Sequence, residues 1–260
     1  MGQRTNYTPG TFSWTDLSTT DQPAAKHFYG ELFGWQANDL PAGEGVVYSI
    51  MSVDGKDVAA ISPQPEPQRE AGAPPMWNSY VTVESADAAL ETARQLGATV
   101  HTDAFDVFEA GRMGVVQDPQ GAFFELWEPK QHIGASLVNA HGALSWNELA
   151  SPDLEASAGF YRALFGWAVE PVEGMEMPYM TIKTAAGASN GGIRPKMEQE
   201  PPYWLVYFGI DDLEAGLAKA SELDGTKLFG PMDIPETGRF AVLHDPQGAV
   251  FALYSGHFEP

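Results

Sequence analysis

Residues 28–35 read FYGELFGW, and residues 160–167 read FYRALFGW, 132 positions later. Six of the eight residues are identical, and a match of that length in aromatic letters does not arise by chance. An internal repeat of this kind defines the architecture before any local assignment is made. The two copies therefore mark equivalent places in two equivalent domains.

Two further pairs support the duplication. SWTDL at residues 13–17 matches SWNEL at 145–149, again 132 apart, whereas DPQGA at 118–122 returns unchanged at 245–249, 127 apart. The second copy is therefore five residues shorter somewhere between Trp35 and Trp77. We predict a first domain at residues 1–128, a linker at 129–141 and a second domain at 142–260.

Composition limits the classes of function. The chain of 260 residues is 43% apolar, has no cysteine, and carries a formal net charge of −21. Disulfides and thiolate metal sites are excluded, and a field of this sign repels phosphate backbones, so nucleic acid is not an expected partner. No stretch approaches the roughly 18 apolar residues of a membrane span, and the N-terminus has no apolar signal core. We expect a cytoplasmic monomer or homodimer with no membrane partner.

Local patterns place the repeats on a β-α-β-β-β unit. A strand at residues 10–17 precedes a helix that is capped by Asp21 and ended by Gly34. Three strands follow, with a tight hairpin at Asp54-Gly55. After a Pro-rich linker at residues 62–75 the pattern restarts, and Asp118-Pro119-Gln120-Gly121 has type I turn chemistry. The second domain repeats the plan, so the chain holds four such units in two pairs.

Paired units of this kind, the FYxxLFGW helix and the DPxGA hairpin resemble the vicinal oxygen chelate superfamily, which includes glyoxalase I, bleomycin-resistance proteins and extradiol dioxygenases. The resemblance covers nearly the whole chain and is nearest to tandem members labelled glyoxalase-like or hydroxylase. It implies an α+β fold in which each pair of βαβββ units curls eight strands into an open cup. It leaves open whether each pocket is built from one domain or both.

The resemblance also implies one divalent metal per enzyme site, held by His, Gln or Glu side chains at set strand positions. These positions, for the first and second domain in turn, fall on Trp14 and Trp146, Ala60 and Gly192, Asn78 and Leu205, and Glu125 and Ala252. Because a catalytic metal generally needs three protein ligands, we predict no metal and no other cofactor at these sites. A site that uses His244 is the alternative.

Glu125 is the predicted catalytic residue. Phe123 and Trp127 share its strand face, so desolvation is expected to raise its pKa and suit it to act as a general base. The alternative is a carboxylate that is solvated or paired with arginine. The predicted ligand-binding residues are Trp14, Asp16, Trp77, Asn78, Trp127, Trp146, Glu148, Trp204 and Tyr254.

Each of these residues also has a structural interpretation. Trp14 and Trp146 either line a cup or belong to the core. Asp16 and Glu148 either orient a ligand or accept hydrogen bonds from the backbone or an arginine. Trp77 and Trp204 form either a cup wall or a domain interface. The aromatic residues of the repeated helices are expected to be core.

The resulting hypothesis is a protein that binds a flat or hydrophobic small molecule in an aromatic-lined cup without chemistry. The alternative is an enzyme of the same fold, a lyase, isomerase, cyclase or oxygenase. It would act on a carbonyl or polyketide-like substrate, with Glu125 as base or with a metal whose ligands the sequence does not reveal. A purely structural or interaction protein is a third class.

Overall fold

The computed structural model describes residues 2–43, 45–174 and 177–257, which form strands and short helices in chain order. The strands are β1 (Gly2–Gln3), β2 (Phe12–Thr19), β3 (Gln36–Pro41), β4 (Val47–Val53), β5 (Lys56–Pro63), β6 (Met76–Thr82), β7 (Thr99–Val107), β8 (Gly111–Gln117), β9 (Phe123–Pro129), β10 (Leu137–Val138), β11 (Leu144–Ser151), β12 (Ala168–Pro171), β13 (Met180–Lys183), β14 (Ser189–Pro195), β15 (Tyr203–Gly209), β16 (Thr226–Ile234), β17 (Gly238–His244) and β18 (Val250–Gly256). The helices are α1 (Gln22–Phe33), α2 (Glu66–Glu70), α3 (Ala86–Gln95), α4 (Leu154–Phe165) and α5 (Leu213–Glu222). In the described part of the chain, none of these helices is long and apolar enough to cross a membrane.

The predicted α+β fold of two tandem domains is confirmed. One eight-stranded sheet has the order β3-β4-β5-β2-β6-β9-β8-β7, and the other has the order β12-β13-β14-β11-β15-β18-β17-β16. The two units of each domain meet where β2 pairs antiparallel with β6, and where β11 pairs antiparallel with β15. Each sheet is therefore built from one domain alone. We call their concave faces cup 1, in the first domain, and cup 2, in the second.

Helix α1 begins and ends where its sequence predicts. The side chain of Asp21 accepts a hydrogen bond from the amide of Ala24 at 3.0 Å, which satisfies one of the free amides of the first turn. Gly34 ends the helix with φ of 73°, a left-handed conformation that glycine adopts without strain. Asp153 and Gly166 do the same for α4, so the repeat extends to the caps.

The five-residue difference between the copies is located between β5 and β6. Twelve residues separate these strands, and seven separate β14 from β15. The prediction of a plain linker at residues 62–75 is wrong in two respects. The strand β5 continues to Pro63, and the segment contains the five-residue helix α2, which has no counterpart among the described residues of the second domain.

The repeated motifs meet across the domain interface. The hydroxyl of Tyr29 donates to Asp245 at 3.1 Å, and Trp77 Nε1 donates to the Tyr29 hydroxyl at 3.0 Å. Phe28 and Tyr29 also pack edge-on against Phe251 of the second domain. The first FYxxLFGW helix is therefore buried, as predicted, but in a core shared by both domains.

The second motif makes the equivalent contacts, with the roles of the two domains exchanged. The hydroxyl of Tyr161 donates to Asp118 at 2.8 Å and accepts from Trp204 Nε1 at 3.0 Å. Trp35 and Trp167, which end the two motifs, donate to the opposite domain in the same way, each across 2.7 Å to a glycine carbonyl. The two motifs that revealed the duplication in the sequence thus hold the two domains together.

Candidate functional site

The polar centre of cup 1 is the carboxylate of Asp16 on β2. Asp16 accepts hydrogen bonds from Asn78 Nδ2 at 2.8 Å, from the Tyr80 hydroxyl at 2.8 Å and from the Tyr48 hydroxyl at 3.0 Å. Trp14 Nε1 in turn donates to the Tyr48 hydroxyl at 2.9 Å. Side chains two positions apart on a strand point to the same face, which is why Trp14 and Asp16 enter the cup together.

Glu125 is the second acid of cup 1, on β9 and directly beside Tyr80 in the parallel register. Its side chain is buried, and its Oε2 has no hydrogen-bond partner within the described residues. Burial, and then the charge of Asp16, raise the pKa of Glu125 well above its ordinary value. No arginine in the described part of the chain pairs with it. Burial also raises the pKa of Asp16, although its three donors oppose this shift.

His132, from the segment between the domains, packs against two tryptophans of cup 1. Its ring lies edge-on to Trp14 with ring centroids 4.6 Å apart, and its carbonyl accepts from Trp127 Nε1 at 2.9 Å. Trp14 and Trp127 are only 4% and 6% exposed. Burial lowers the pKa of His132, which favours the neutral ring. Nothing in the sequence marks this residue, because it lies outside both repeats.

Cup 2 repeats the arrangement with a different partner for the acid. Glu148 accepts from Arg194 Nε at 2.8 Å and from the Tyr207 hydroxyl at 3.0 Å. Trp146 Nε1 donates to the Tyr179 hydroxyl at 3.1 Å, as Trp14 does to Tyr48 in cup 1. Burial raises the pKa of Glu148, and the charge and hydrogen bond of Arg194 oppose this shift. Of the two alternatives for this acid, the structure has the pairing with an arginine.

Arg194 connects the buried Glu148 to the surface. Its Nη1 and Nη2 donate to the two oxygens of Glu200 at 2.7 and 2.6 Å, and Nη1 also donates to the carbonyl of Pro195. Burial would raise the pKa of Glu200, but the hydrogen bonds from Arg194, the Met197 amide and the Tyr203 hydroxyl, with the charge of Arg194, together lower it. The pair of Arg194 and Glu200 was not predicted from the sequence. The available signal was a lone arginine within a strand that is otherwise apolar or small.

The residues at the metal positions of the family do not fit a divalent cation. Among these four positions in cup 1 the only carboxylate is Glu125, since the side chains of Trp14 and Ala60 cannot ligate a metal and the amide of Asn78 donates to Asp16. In cup 2 the corresponding residues carry no donor at all. Within residues 2–43, 45–174 and 177–257, no group of three or more His, Asp or Glu side chains is placed to hold a metal ion. His244 instead directs Nδ1 toward the carbonyl of Asp245, 3.1 Å away.

A cavity of about 560 Å³ lies where the mouth of cup 2 meets the first domain. The side chains that line it are mostly proline, aromatic and aliphatic: Pro74, Pro75, Met76, Trp77, Asn78, Phe123, Arg194, Met197, Gln199, Glu200, Pro201, Pro202, Tyr203, Trp204, Leu228, Phe229, Val242 and Val250, with Gly248. One polar residue that lines the cavity is hydrogen-bonded to the buried acid of each cup. Asn78 connects it to the buried Asp16, and Arg194 connects it to the buried Glu148.

The cavity brings together three of the predicted site residues, Trp77, Asn78 and Trp204. The others lie elsewhere: Glu125, Trp14, Asp16 and Trp127 inside cup 1, Trp146 and Glu148 inside cup 2, and Tyr254 at the end of β18, where its hydroxyl contacts the carbonyls of Thr237 and His257. Trp77 and Trp204 also belong to the domain interface. The two alternatives given for these tryptophans are therefore combined in one place.

The same architecture is found in known proteins. Residues 11–126 match the family model of the glyoxalase/bleomycin resistance protein/dioxygenase superfamily, and residues 147–254 match that of a glyoxalase-like domain. CFP32 of Mycobacterium tuberculosis, whose name assigns it to the glyoxylases, is 44% identical over 97% of this chain and 97% of its own. The anthracycline biosynthesis protein DauV of Streptomyces sp. is 33% identical over 96% of this chain and 94% of its own.

Solved structures agree at the level of the fold. The Mn(II)-bound glyoxalase of Novosphingobium aromaticivorans has a TM-score of 0.67 at 17% identity, covering 98% of this chain and 83% of that one. The 2,3-dioxygenase LapB of Pseudomonas sp. has a TM-score of 0.64 at 15% identity, covering 98% and 95%. From the two family models and the full-length relatives, the chain belongs to the glyoxalase/bleomycin resistance protein/dioxygenase superfamily and carries two of its domains in tandem.

Proposed function

We propose that this chain binds a flat, hydrophobic small molecule in the cavity between the mouth of cup 2 and the first domain. The observation that carries the proposal is the cavity itself. Its volume of about 560 Å³ falls in the range of small-molecule sites, which are concave and mainly apolar with a few polar groups. The names of the DauV and DnrV relatives, both anthracycline biosynthesis proteins, support a polyketide-like ligand.

The expected affinity follows from the apolar area that such a ligand would bury. Burying about 200 Å² at about 25 cal/mol/Å² contributes about 5 kcal/mol before other costs. Loss of translational and rotational freedom removes part of this, and hydrogen bonds to the polar lining residues add to it. Dissociation constants in the micromolar range are therefore expected.

The predicted ligand-binding residues would then have different roles. Trp77, Asn78 and Trp204 would contact the ligand. Trp14, Trp127, Trp146 and Tyr254 would support the two cups from inside. Asp16 and Glu148 would hold Asn78 and Arg194 in place rather than touch the ligand.

Titration with a planar fluorescent probe, hydroxymethyl-anthracene, tests the proposal. We expect micromolar binding by the native chain and at least about tenfold weaker binding after Val250→Trp, because an indole at this lining position fills the cavity. Val46→Trp, at an exposed valine away from the cavity, is the matched control and should leave binding unchanged. Equal binding by both variants would place the probe elsewhere, and no binding by the native chain would refute the proposal.

A second candidate is an enzyme in which Glu125 serves as base toward a carbonyl or polyketide-like substrate. The observation that favours it is the buried carboxyl with one unpartnered oxygen and a raised pKa, since an acid with a raised pKa near the working pH is an effective proton acceptor. Turnover of the methylglyoxal–glutathione adduct that disappears in Glu125→Gln, measured beside the metal content of untagged protein, would support it. Binding of the anthracene probe that is unchanged in Glu125→Gln, with no turnover by either protein, would favour the binding function.

The cytoplasmic location of the protein and its state as a monomer or homodimer remain predictions.

A further inference from the structure

We infer that the cavity selects an aromatic ligand that donates hydrogen bonds, through an ammonium or hydroxyl group, and rejects one that carries a carboxylate. This inference rests on the proposed function and deepens it, because it names the polar chemistry of the ligand. It is carried by the hydrogen-bonding state of the polar side chains that line the cavity. Three of these, Asn78, Arg194 and Glu200, have a definite orientation.

Arg194 is already neutralised. A guanidinium has five N–H donors, and four of them are engaged: one with Glu148, two with Glu200 and one with the carbonyl of Pro195. A ligand carboxylate would have to displace one of two carboxylates that are held in place by the protein. Burying a third anion around one cation is unfavourable in a partly desolvated site.

Asn78 presents a hydrogen-bond acceptor to the cavity, and Glu200 contributes negative charge. Nδ2 of Asn78 is directed at Asp16, which leaves its Oδ1 as the free end of the amide, and no group in the described part of the chain donates to this oxygen. Glu200 is ionised beside Arg194, and its oxygens already accept from Arg194, from the amide of Met197 and from the Tyr203 hydroxyl. The cavity therefore offers a free amide oxygen and a negatively charged carboxylate to a ligand.

The charges around the cavity are also mainly negative. Asp16 lies directly behind Asn78, and Glu148 lies directly behind Arg194, so each cup contributes an acid next to the cavity. The chain as a whole carries a formal charge of −21. A field of this kind attracts cations and repels anions as they approach a cleft.

Three probes that share one ring system separate these alternatives: aminomethyl-anthracene, hydroxymethyl-anthracene and anthracene carboxylate, titrated at neutral pH by fluorescence. We expect the ammonium probe to bind most tightly and the carboxylate at least about tenfold more weakly, since a hydrogen bond to a charged group contributes about that much. Glu200→Gln should weaken the ammonium probe and strengthen the carboxylate probe, because it exposes one edge of Arg194. Glu198→Gln, an exposed acid on the same loop that does not line the cavity, should change neither.

The outcomes distinguish this inference from the proposed function. If none of the three probes binds, the proposed function fails and the inference fails with it. If all three bind with equal affinity, or the carboxylate binds most tightly, the cavity is a binding site and the inference on ligand chemistry is wrong. A preference for the ammonium probe that is undiminished in Glu200→Gln would also overturn it.

Discussion

Cups 1 and 2 each contain a tryptophan, two tyrosines and an acid in the same arrangement, but they surround the acid differently. The shared residues are Trp14, Tyr48, Asp16 and Tyr80 in cup 1, and Trp146, Tyr179, Glu148 and Tyr207 in cup 2. In cup 1 the amide of Asn78 completes the set, and a second acid, Glu125, lies beside it. In cup 2 the corresponding places hold Leu205 and Ala252, and Arg194 pairs with the acid.

This difference shows that a duplicated scaffold can keep its hydrogen-bonded frame while the charges inside it change. Cup 2 compensates its buried acid with a cation, whereas cup 1 uses only neutral donors for Asp16 and leaves one oxygen of Glu125 without a partner. The two cups should therefore respond differently to loss of a partner and to pH. Arg194→Met and Glu125→Gln test this expectation, and Tyr29→Phe with Tyr161→Phe tests whether the asymmetry extends beyond the cups.

The largest effect is expected for Arg194→Met, which removes the cation of cup 2. Glu148 would then remain buried without its charged partner, and breaking a buried pair in this way costs about 3 to 5 kcal/mol. Urea unfolding at neutral pH would measure this loss of stability. The double variant Glu148→Gln with Arg194→Met should recover part of it, because no buried charge is left.

The control for this variant is Arg112→Met. Arg112 pairs with Asp87 and Asp106 on the exposed edge of the first sheet, where an ion pair contributes little because water screens it. If Arg194→Met lowered the free energy of unfolding by as little as Arg112→Met does, the role of Arg194 in cup 2 would be contradicted.

An intermediate effect is expected for Glu125→Gln in cup 1, and its dependence on pH is the decisive feature. Because burial raises the folded-state pKa, the folded chain holds this proton more tightly than the unfolded chain. The stability that the protonated group contributes is complete below its ordinary value of 4.5 and is lost as the pH rises toward the folded value. Glutamine avoids that loss, so the variant should be more stable than the native chain at about pH 8, and the difference should shrink by at most about 1.4 kcal/mol per unit as the pH falls from the folded-state pKa of Glu125 toward 4.5.

Urea unfolding at a series of pH values would measure this difference, with Glu84→Gln as the control at an exposed glutamate. A difference between Glu125→Gln and the native chain that does not vary with pH would show that Glu125 is not a buried acid with a raised pKa.

The smallest effects are expected at the domain interface, where the two copies do not differ. Tyr29→Phe leaves Asp245 and Trp77 without their shared partner, and Tyr161→Phe does the same to Asp118 and Trp204. Each unpaired buried group costs about 1 kcal/mol or more, so the two variants should be destabilised by similar amounts in urea. A clear inequality between them would mean that the asymmetry of the molecule extends beyond the cups.

Much of the fold could be predicted because its signals are local or repeated. Asp21 and Gly34 cap α1 through contacts with their own neighbours, and Asp54-Gly55 forms its hairpin with positive φ at both residues. Asp118 accepts from the amides of Gln120 and Ala122, as its turn chemistry suggests. The burial of Glu125 could also be anticipated, because alternate positions on β9 are aromatic.

The cavity and its polar lining could not be predicted. Arg194 meets Glu148 from a strand 46 residues away, and Glu200 meets Arg194 from the loop between β14 and β15, which differs in length from its counterpart in the first domain. His132 packs against Trp14 from the segment between the domains. None of these contacts produces a periodic pattern in the amino-acid sequence, because each depends on how segments that are distant in the chain pack together.

The amino-acid sequence by itself determined the duplication and the βαβββ units, because repeats, caps and strand alternation are properties of residues close together in the chain. Only the tertiary structure decided that the repeated motifs bind the domains to each other and that an apolar cavity lies between them. The physical reason is that a cavity is bounded by surfaces from distant segments, and its shape and charge arise only when those segments are packed together.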